Sequence, residues 1–259
     1  MSDVALARTT AAPLRRLRHD ESAALPLVAP IAVLMLLLLV LPTAAMFALS
    51  LTDAELGATS IAFIGLDGYR EVLADRTFLI SAKNTLFYVA VVTPVSVVLG
   101  LGFALLIEAG TELRGFFRSA YFLPVVSLIT AMATVWQYLM HPVIGPFNLM
   151  LGLVGLPPVN WLAGSDTVMW ALALIGIWQQ TGFDLVLFLA GLGAIDRTLY
   201  DAAEIDGAKS GFDRFRLVTW PMLGPTTLFV VTITMINAVK VFETVMTLTQ
   251  GGPAKASEV

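Results

Sequence analysis

The sequence predicts an all-α fold, a polytopic bundle of membrane-spanning helices, and three observations carry that prediction. Of 259 residues, 58% are apolar and only 13% charged, and the mean hydropathy is +0.84. A water-soluble domain carries about 25% charged residues on its surface, so the solvent this chain requires is lipid. The apolar residues gather in charge-poor runs of roughly the 20 residues that a helix needs to cross a bilayer core of about 30 Å. Those runs lack the short alternation of barrel strands, which leaves helices.

Composition also excludes chemistry. A net charge of −4 and a pI of about 5.1 leave no electrostatic footprint for nucleic acid. No cysteine is present, so disulfides, thiolate metal sites and a cysteine nucleophile are ruled out. His19 and His141 are far apart in sequence, so no metal cluster is expected. An intramembrane enzyme lacks its means, and the chain reads as a non-enzyme with no catalytic residues.

Residues 1–24 form a polar tail and 25–246 a transmembrane domain of five spans. The first, about 25–51, lies in a charge-free stretch between Glu21 and Asp53, with an almost purely aliphatic centre from Ile31 to Leu41. It is longer than the 7–15-residue core of a signal peptide and no small-x-small cleavage site follows, so it reads as a retained anchor. The second span, about 84–108, is charge-free from Asn84 to Ile107, and the third, about 119–140, from Ser119 to Met140. The fourth, about 168–192, is interrupted by Asp184 alone. The fifth, about 219–246, carries Lys240 and Glu243 near its far end. Residues 247–259 form a tail on the outer side.

Lys and Arg in short loops concentrate on the cytoplasmic side. Arg8, Arg15, Arg16, Arg18, Arg114, Arg118, Arg197, Lys209, Arg214 and Arg216 fall on one side, and only Arg70, Arg76, Lys83 and Lys255 on the other. That asymmetry predicts a cytoplasmic N-terminus in a bacterial inner membrane, and a cytoplasmic loop over 194–218.

This loop is the most informative segment. Thr198 followed by Asp201 has the spacing of a capping box. Asp201 and Glu204 suit the positive end of a short helix, and Lys209 lies beyond its negative end. Gly207 is placed to end the helix in a left-handed turn. Ala202 and Ala203 leave one face without bulk, so a partner surface can approach the backbone. Phe212 and Phe215 begin an apolar return, and Pro221 and Pro225 sit in the first turns of the fifth helix, where missing amide hydrogens cost least. Two readings follow: an amphipathic helix lying on the membrane surface, or a docking element for a cytoplasmic partner.

At this point the residues resemble a known signature. Asp201-Ala202-Ala203, then Gly207, then Val218-Thr219-Trp220-Pro221 is similar to the Glu-Ala-Ala loop of binding-protein-dependent ABC importer permeases. Asp201 stands for the usual Glu, ten residues rather than nine precede Val218, and Trp220 stands for Leu. Leu248-Thr249-Gln250-Gly251-Gly252-Pro253 is similar to the Leu-Thr-Gly-Gly-Gly-Pro turn of the maltose- and glycerol-phosphate-type carbohydrate permeases. Within these it resembles the first permease partner, as do Phe63 to Tyr69 and the pair Asn84-Thr85. The resemblance spans about Leu25 to Val259. It implies an importer permease fold with six spans, of which five lie in these residues, the last helix being absent.

The resemblance further implies that Leu199, Asp201, Ala202, Ala203, Glu204, Asp206 and Gly207 couple to an ATPase. No G-x-x-x-x-G-K-[ST] phosphate loop occurs in the chain, so ATP is expected on a separate subunit and no cofactor here. The implied partners are a second permease subunit in a heterodimer, a cytoplasmic ABC ATPase dimer and a periplasmic solute-binding protein. The bilayer surrounds the whole.

Polar groups inside the spans complete the picture. An ionisable residue mid-membrane costs at least about 2.5–3.5 kcal/mol on insertion scales, so it faces a cavity or a partner. Gln180 and Asp184 are four apart and share a helix face. Asn237, Lys240 and Thr244 form a second stripe, and Glu243 is spaced to pair with Lys240. The resemblance places solute-lining positions near Gln180 and Phe183 and between Ala238 and Val241. Gln180, Phe183, Asp184, Asn237, Lys240 and Val241 are therefore candidates for the path of a sugar or sugar-like solute, with Asp184 the most telling. The other reading is that they bond the helices together. A second transporter class, ion-coupled and using Asp184 as its carboxylate, predicts internal repeats that the sequence does not display.

Overall fold

The computed structural model describes residues 21–55, 57, 61–110 and 114–259, excepting the side chains of 21–25, 27, 114, 118 and 129. Arg8, Arg15, Arg16 and Arg18 lie outside the described residues. The chain divides into two compact units, Met1–Val72 and Leu73–Val259.

In the first unit, α1 (Glu21–Met35) continues through a π turn at Leu36–Val40 into α2 (Leu41–Leu49). The π turn has a local cause. Pro42 has no amide hydrogen, and just before it the register slips so that the Leu41 N–H reaches the Leu36 carbonyl. Every side chain from 28 to 49 is exposed, as an aliphatic lipid-facing surface requires. The Ser50 hydroxyl then meets the Tyr69 hydroxyl of α3 (Asp67–Ala74) at 2.6 Å.

The second unit opens with α4 (Arg76–Ala109), capped by the Asp75 carboxylate accepting from the Thr77 N–H at 2.8 Å. The helix thus begins two turns before Asn84, where the charge-free run starts. α5 (Arg114–Val126) and α6 (Ile129–Leu139) occupy the third apolar run, separated where Leu128 turns extended (ψ 125) a few residues after Pro124. α7 (Pro146–Leu153) follows, pinned by Asn148. Its amide donates to the Pro142 and Val159 carbonyls and accepts from the Val159 N–H and the Trp161 indole.

Next come α8 (Val168–Gly193), α9 (Arg197–Ile205) and α10 (Gly211–Arg214). A second π turn, Phe215–Thr219, precedes Pro221 as the first precedes Pro42, with the Trp220 N–H bonded to the Phe215 carbonyl. α11 (Trp220–Met222) and α12 (Gly224–Val239) follow, the run up to Met222 being bent by 66° from α12. α13 (Phe242–Leu248) is set off from α12 by a break at Lys240 and Val241. Among the described residues, three helical runs are long and apolar enough to cross a membrane alone, and up to five do so if each bent pair is one span.

α8 is the axis of this unit. Its side chains join two apolar clusters, one with Tyr88, Trp136 and Met140, the other with Ala104, Leu223 and Val230. Small residues let its neighbours close. A Cβ on Gly100 of α4 would lie 2.7 Å from the Asp184 Cβ, and one on Gly182 would strike the Tyr121 carbonyl of α5. One on Gly191 would lie 2.7 Å from Thr226 of α12. Backbone approach at small residues is how helices gain dispersion contact in lipid, where no hydrophobic drive separates them from the tails. The last residues fold back onto α4: Asn84 donates to the Ala256 and Glu258 carbonyls (3.1 and 2.8 Å), and the Lys255 ammonium to the Thr77 hydroxyl (2.8 Å).

Overpacking this contact is expected to destabilise by about 1–3 kcal/mol. Gly100→Leu lowers the thermal midpoint followed by circular dichroism in detergent. Gly102→Leu, whose Cβ meets nothing within 4 Å, leaves it unchanged.

Candidate functional site

A cavity of about 350 Å³ opens between α4, α8 and the α12–α13 break. From α8 it receives Gln179, Gln180 and Phe183, three residues within one turn. From α12 comes Asn237, and from the break Lys240 and Val241, followed by Glu243 and Thr244 of α13. Five of the six residues expected along a path, Gln180, Phe183, Asn237, Lys240 and Val241, thus meet at one cavity. Tyr88 and Gly176, which the sequence reading did not single out, line it too, with Val92, Val125 and Ala238.

The break explains the cavity's charge. Lys240 takes φ −90, ψ 24 and Val241 φ −66, ψ 4, so helical i, i+3 geometry is lost between Lys240 and Glu243. The pair expected from their spacing is not formed, and both side chains are exposed at the cavity.

Asp184 is not on the wall. Its side chain is fully buried, and Oδ1 accepts from the Thr234 hydroxyl (2.7 Å) and the Gln180 amide (3.2 Å). Ser96 of α4 faces it, with its own proton given to the Val92 carbonyl (2.7 Å). The shared face with Gln180 is real, but one turn deeper that face is covered by Gly100 and Thr234. The carboxyl there joins α8 to α12. Thr234 gave no signal beyond being a hydroxyl in an apolar run. The rest of the polar cluster on α8 divides by helical phase: Trp178 stacks edge-on against Trp136 (5.3 Å), and Thr181 is buried away from the cavity.

The loop after α8 is a self-braced element. α9 is capped by Asp196, whose carboxylate accepts from the Thr198 N–H at 2.9 Å. Thr198 is therefore inside the helix rather than at its cap, because the aspartate two residues earlier reaches the free amide first. Bonds from the Thr198 backbone and then its side chain hold the Asp196 carboxyl below the usual carboxylate range. Gly207, at φ +101, ends α9 as expected: its N–H reaches the Glu204 carbonyl (3.1 Å) and that of Ala208 the Ala203 carbonyl (2.9 Å). The capping box lies further on, between Ser210 and Asp213 at the start of α10. The Arg214 guanidinium pairs with Glu204 (3.0 Å), and the Tyr200 hydroxyl meets Thr219 (3.0 Å). Leu199, Asp201, Ala202, Glu204, Asp206 and Gly207 are exposed and Ala203 is half-buried. Ile205, missed by the sequence reading, is 86% exposed on the same short helix.

The model for the inner membrane component of binding-protein-dependent transport systems matches residues 96–255. The chain belongs to this family. It is 33% identical over 231 residues to a trehalose/maltose transport system permease protein of Thermococcus litoralis, covering 89% of this chain and 78% of that one. To an sn-glycerol-3-phosphate transport system permease protein of Agrobacterium fabrum it is 31% identical, covering 76% and 67%. In fold it is similar to the crystal structure of a bacterial ABC transporter involved in import of the acidic polysaccharide alginate (TM-score 0.74, 23% identity, 92% and 80% covered).

The chain is thus a transport permease subunit of an ABC importer, not an enzyme, and a multi-pass inner-membrane component. Family membership decides against the ion-coupled secondary transporter, and the interhelical position of Asp184 removes the residue that reading relied on.

Two outcomes follow for the permease. Thr234→Val leaves the buried Asp184 carboxyl without its shortest hydrogen bond, a loss of about 1–3 kcal/mol read from denaturation in detergent. The Asp196 cap is expected to depend on pH. Its folded pKa is lowered, so its stabilisation of α9 is full above the ordinary carboxylate pKa and is lost as pH falls through the lowered value. Deuterium exchange in the 197–205 peptide accelerates beyond its intrinsic pH dependence only in strong acid, whereas Asp196→Ala shows the faster exchange at neutral pH.

Proposed function

We propose that the permease forms, with a second permease subunit, the translocation path for a sugar or sugar-like solute. The observation that carries this reading is the cavity at the α12–α13 break. Its wall offers the amides of Gln179 and Asn237 and the carbonyl oxygen of Gln180, whose NH₂ is given to Asp184 and Thr234, beside the Phe183 ring. Amides donate and accept, and a ring face receives the apolar CH surface of a pyranose, which is the pairing a polyhydroxylated solute needs. Relatives named for trehalose/maltose and for glycerol 3-phosphate support the class without fixing the member.

The N-terminus and the 194–218 loop face the cytoplasm, and the Gly-Gly-Pro turn faces the periplasm, where a solute-binding protein delivers its cargo. ATP is bound by a cytoplasmic ATPase dimer. α9 presents the exposed residues Leu199, Asp201, Ala202, Ile205 and Asp206 to that ATPase. Its bonds to α10 and to Phe215–Thr219 let a push on α9 pass to the start of the fifth span.

The test is co-purification of the permease with its second subunit and a tagged ATPase. Wild type is retained on the tag. Gly207→Arg forces a side chain into φ +101 and sets bulk at the docking end, and the variant is lost from the tag while remaining in the membrane fraction. Equal retention of both proteins overturns the coupling role of the loop.

A further inference from the structure

Tyr88 lies on α4 inside the membrane, 4% exposed, with its ring in the apolar cluster around α8. No hydrogen bond ties its hydroxyl to another described residue, and the residue borders the cavity. A buried phenol ordinarily finds a partner for its oxygen. The approach is also made possible by one residue: a Cβ on Gly176 would collide with the Tyr88 hydroxyl and ring carbon. Gly176 thus keeps a gap in the α8 wall that the phenol fills. Neither residue is needed for helix formation, since an alanine suits a helix interior better than glycine by about 1 kcal/mol.

From this we infer that Tyr88 is a solute-contacting residue of the cavity, its hydroxyl admitted by Gly176 to hydrogen-bond a hydroxyl of a polyhydroxylated solute. The phenol is neutral and both donates and accepts, as an alcohol partner requires. Thr244 offers the same chemistry from α13. It is the cavity's other hydroxyl and makes no bond back to its own helix, unlike Thr247 and Thr249. The two hydroxyls and the Asn237 amide then read different positions of one ring. This inference rests on the cavity being the solute path.

The test uses the assembled importer in two arms. The chain has no cysteine, so single cysteines can be introduced directly and probed with a water-soluble methanethiosulfonate, the label being read on this chain by mass spectrometry. Asn237→Cys and Tyr88→Cys are both modified, while Ser96→Cys, fully buried, is not. Modification of Asn237→Cys without Tyr88→Cys overturns the role of Tyr88 alone; silence at both overturns the cavity as a path. In the second arm the importer's binding protein is screened against maltose, trehalose, arabinose, glucitol and glycerol 3-phosphate, and uptake of the bound solute is measured in proteoliposomes. Tyr88→Phe raises KM about 3- to 10-fold with kcat little changed, the size of one lost hydrogen bond. Gly176→Ala shifts KM in the same direction by displacing the ring. An unchanged KM in Tyr88→Phe, or a binding protein that takes none of these polyols, overturns the inference.

Discussion

A carboxyl that cannot reach water organises the second unit. Asp184 is held between α4, α8 and α12; Thr234 and Gln180 both donate to its Oδ1 and offset part of its cost in a dry interior, while Oδ2 has no partner among the described residues. Gly100 makes this possible by letting α4 close over the carboxyl without a side chain in between. The three helices are therefore in register by chemistry as well as by shape. Sliding α12 along α8 by one turn would orphan a buried polar group. Gln180 is committed by the same bond: its NH₂ is given to Asp184 and Thr234, which leaves its carbonyl oxygen as the group it can turn toward the cavity.

Beyond that fastening the fifth run is free to change direction, and it does so at Lys240. α12 packs against α4 and α8, whereas α13 packs with α6 and leads into the turn that folds back on the start of α4. The cavity sits at this joint. Its wall thus joins residues from elements with different anchors, an arrangement suited to a site whose access has to alternate. The same joint strips Lys240 and Glu243 of their helical spacing and leaves two opposite charges unspent at the wall.

The helical fold was legible because apolar runs without charge have few other uses. The ends of the helices were not. α4 runs through Arg76 and Lys83, since its first turns carry charge on exposed faces and its start is set by the Asp75 cap, not by the last charge before the apolar run. α9 was misread by one cap for a related reason, two candidate acceptors standing two residues apart. The third run was read as one unbroken span, although Pro124 lies just before the break after α5, and no proline or glycine marks Lys240. Gln180, Asn237 and Lys240 were legible as amides and a charge in otherwise apolar runs, whereas Phe183 and Val241 came only from the family resemblance. Tyr88 escaped although it lies four residues after Asn84 on the same face, because a lone phenol among valines reads as packing. Asp184 was noticed and misplaced: period fixes a face, but depth along that face depends on neighbours hundreds of atoms away in the chain.

Asn84 holds the last turn of the chain by its main-chain oxygens, those of Ala256 and Glu258, and not by any side chain there. A grip of that kind is indifferent to the identity of what it holds. At 256 and 258 it asks only that the backbone keep its path, whereas Ser257 is tied by its own buried hydroxyl to Thr249 and the Gly252 carbonyl, and Asn84 has no liberty at all. The identity of two of the three residues is thereby uncoupled from the helix that anchors them.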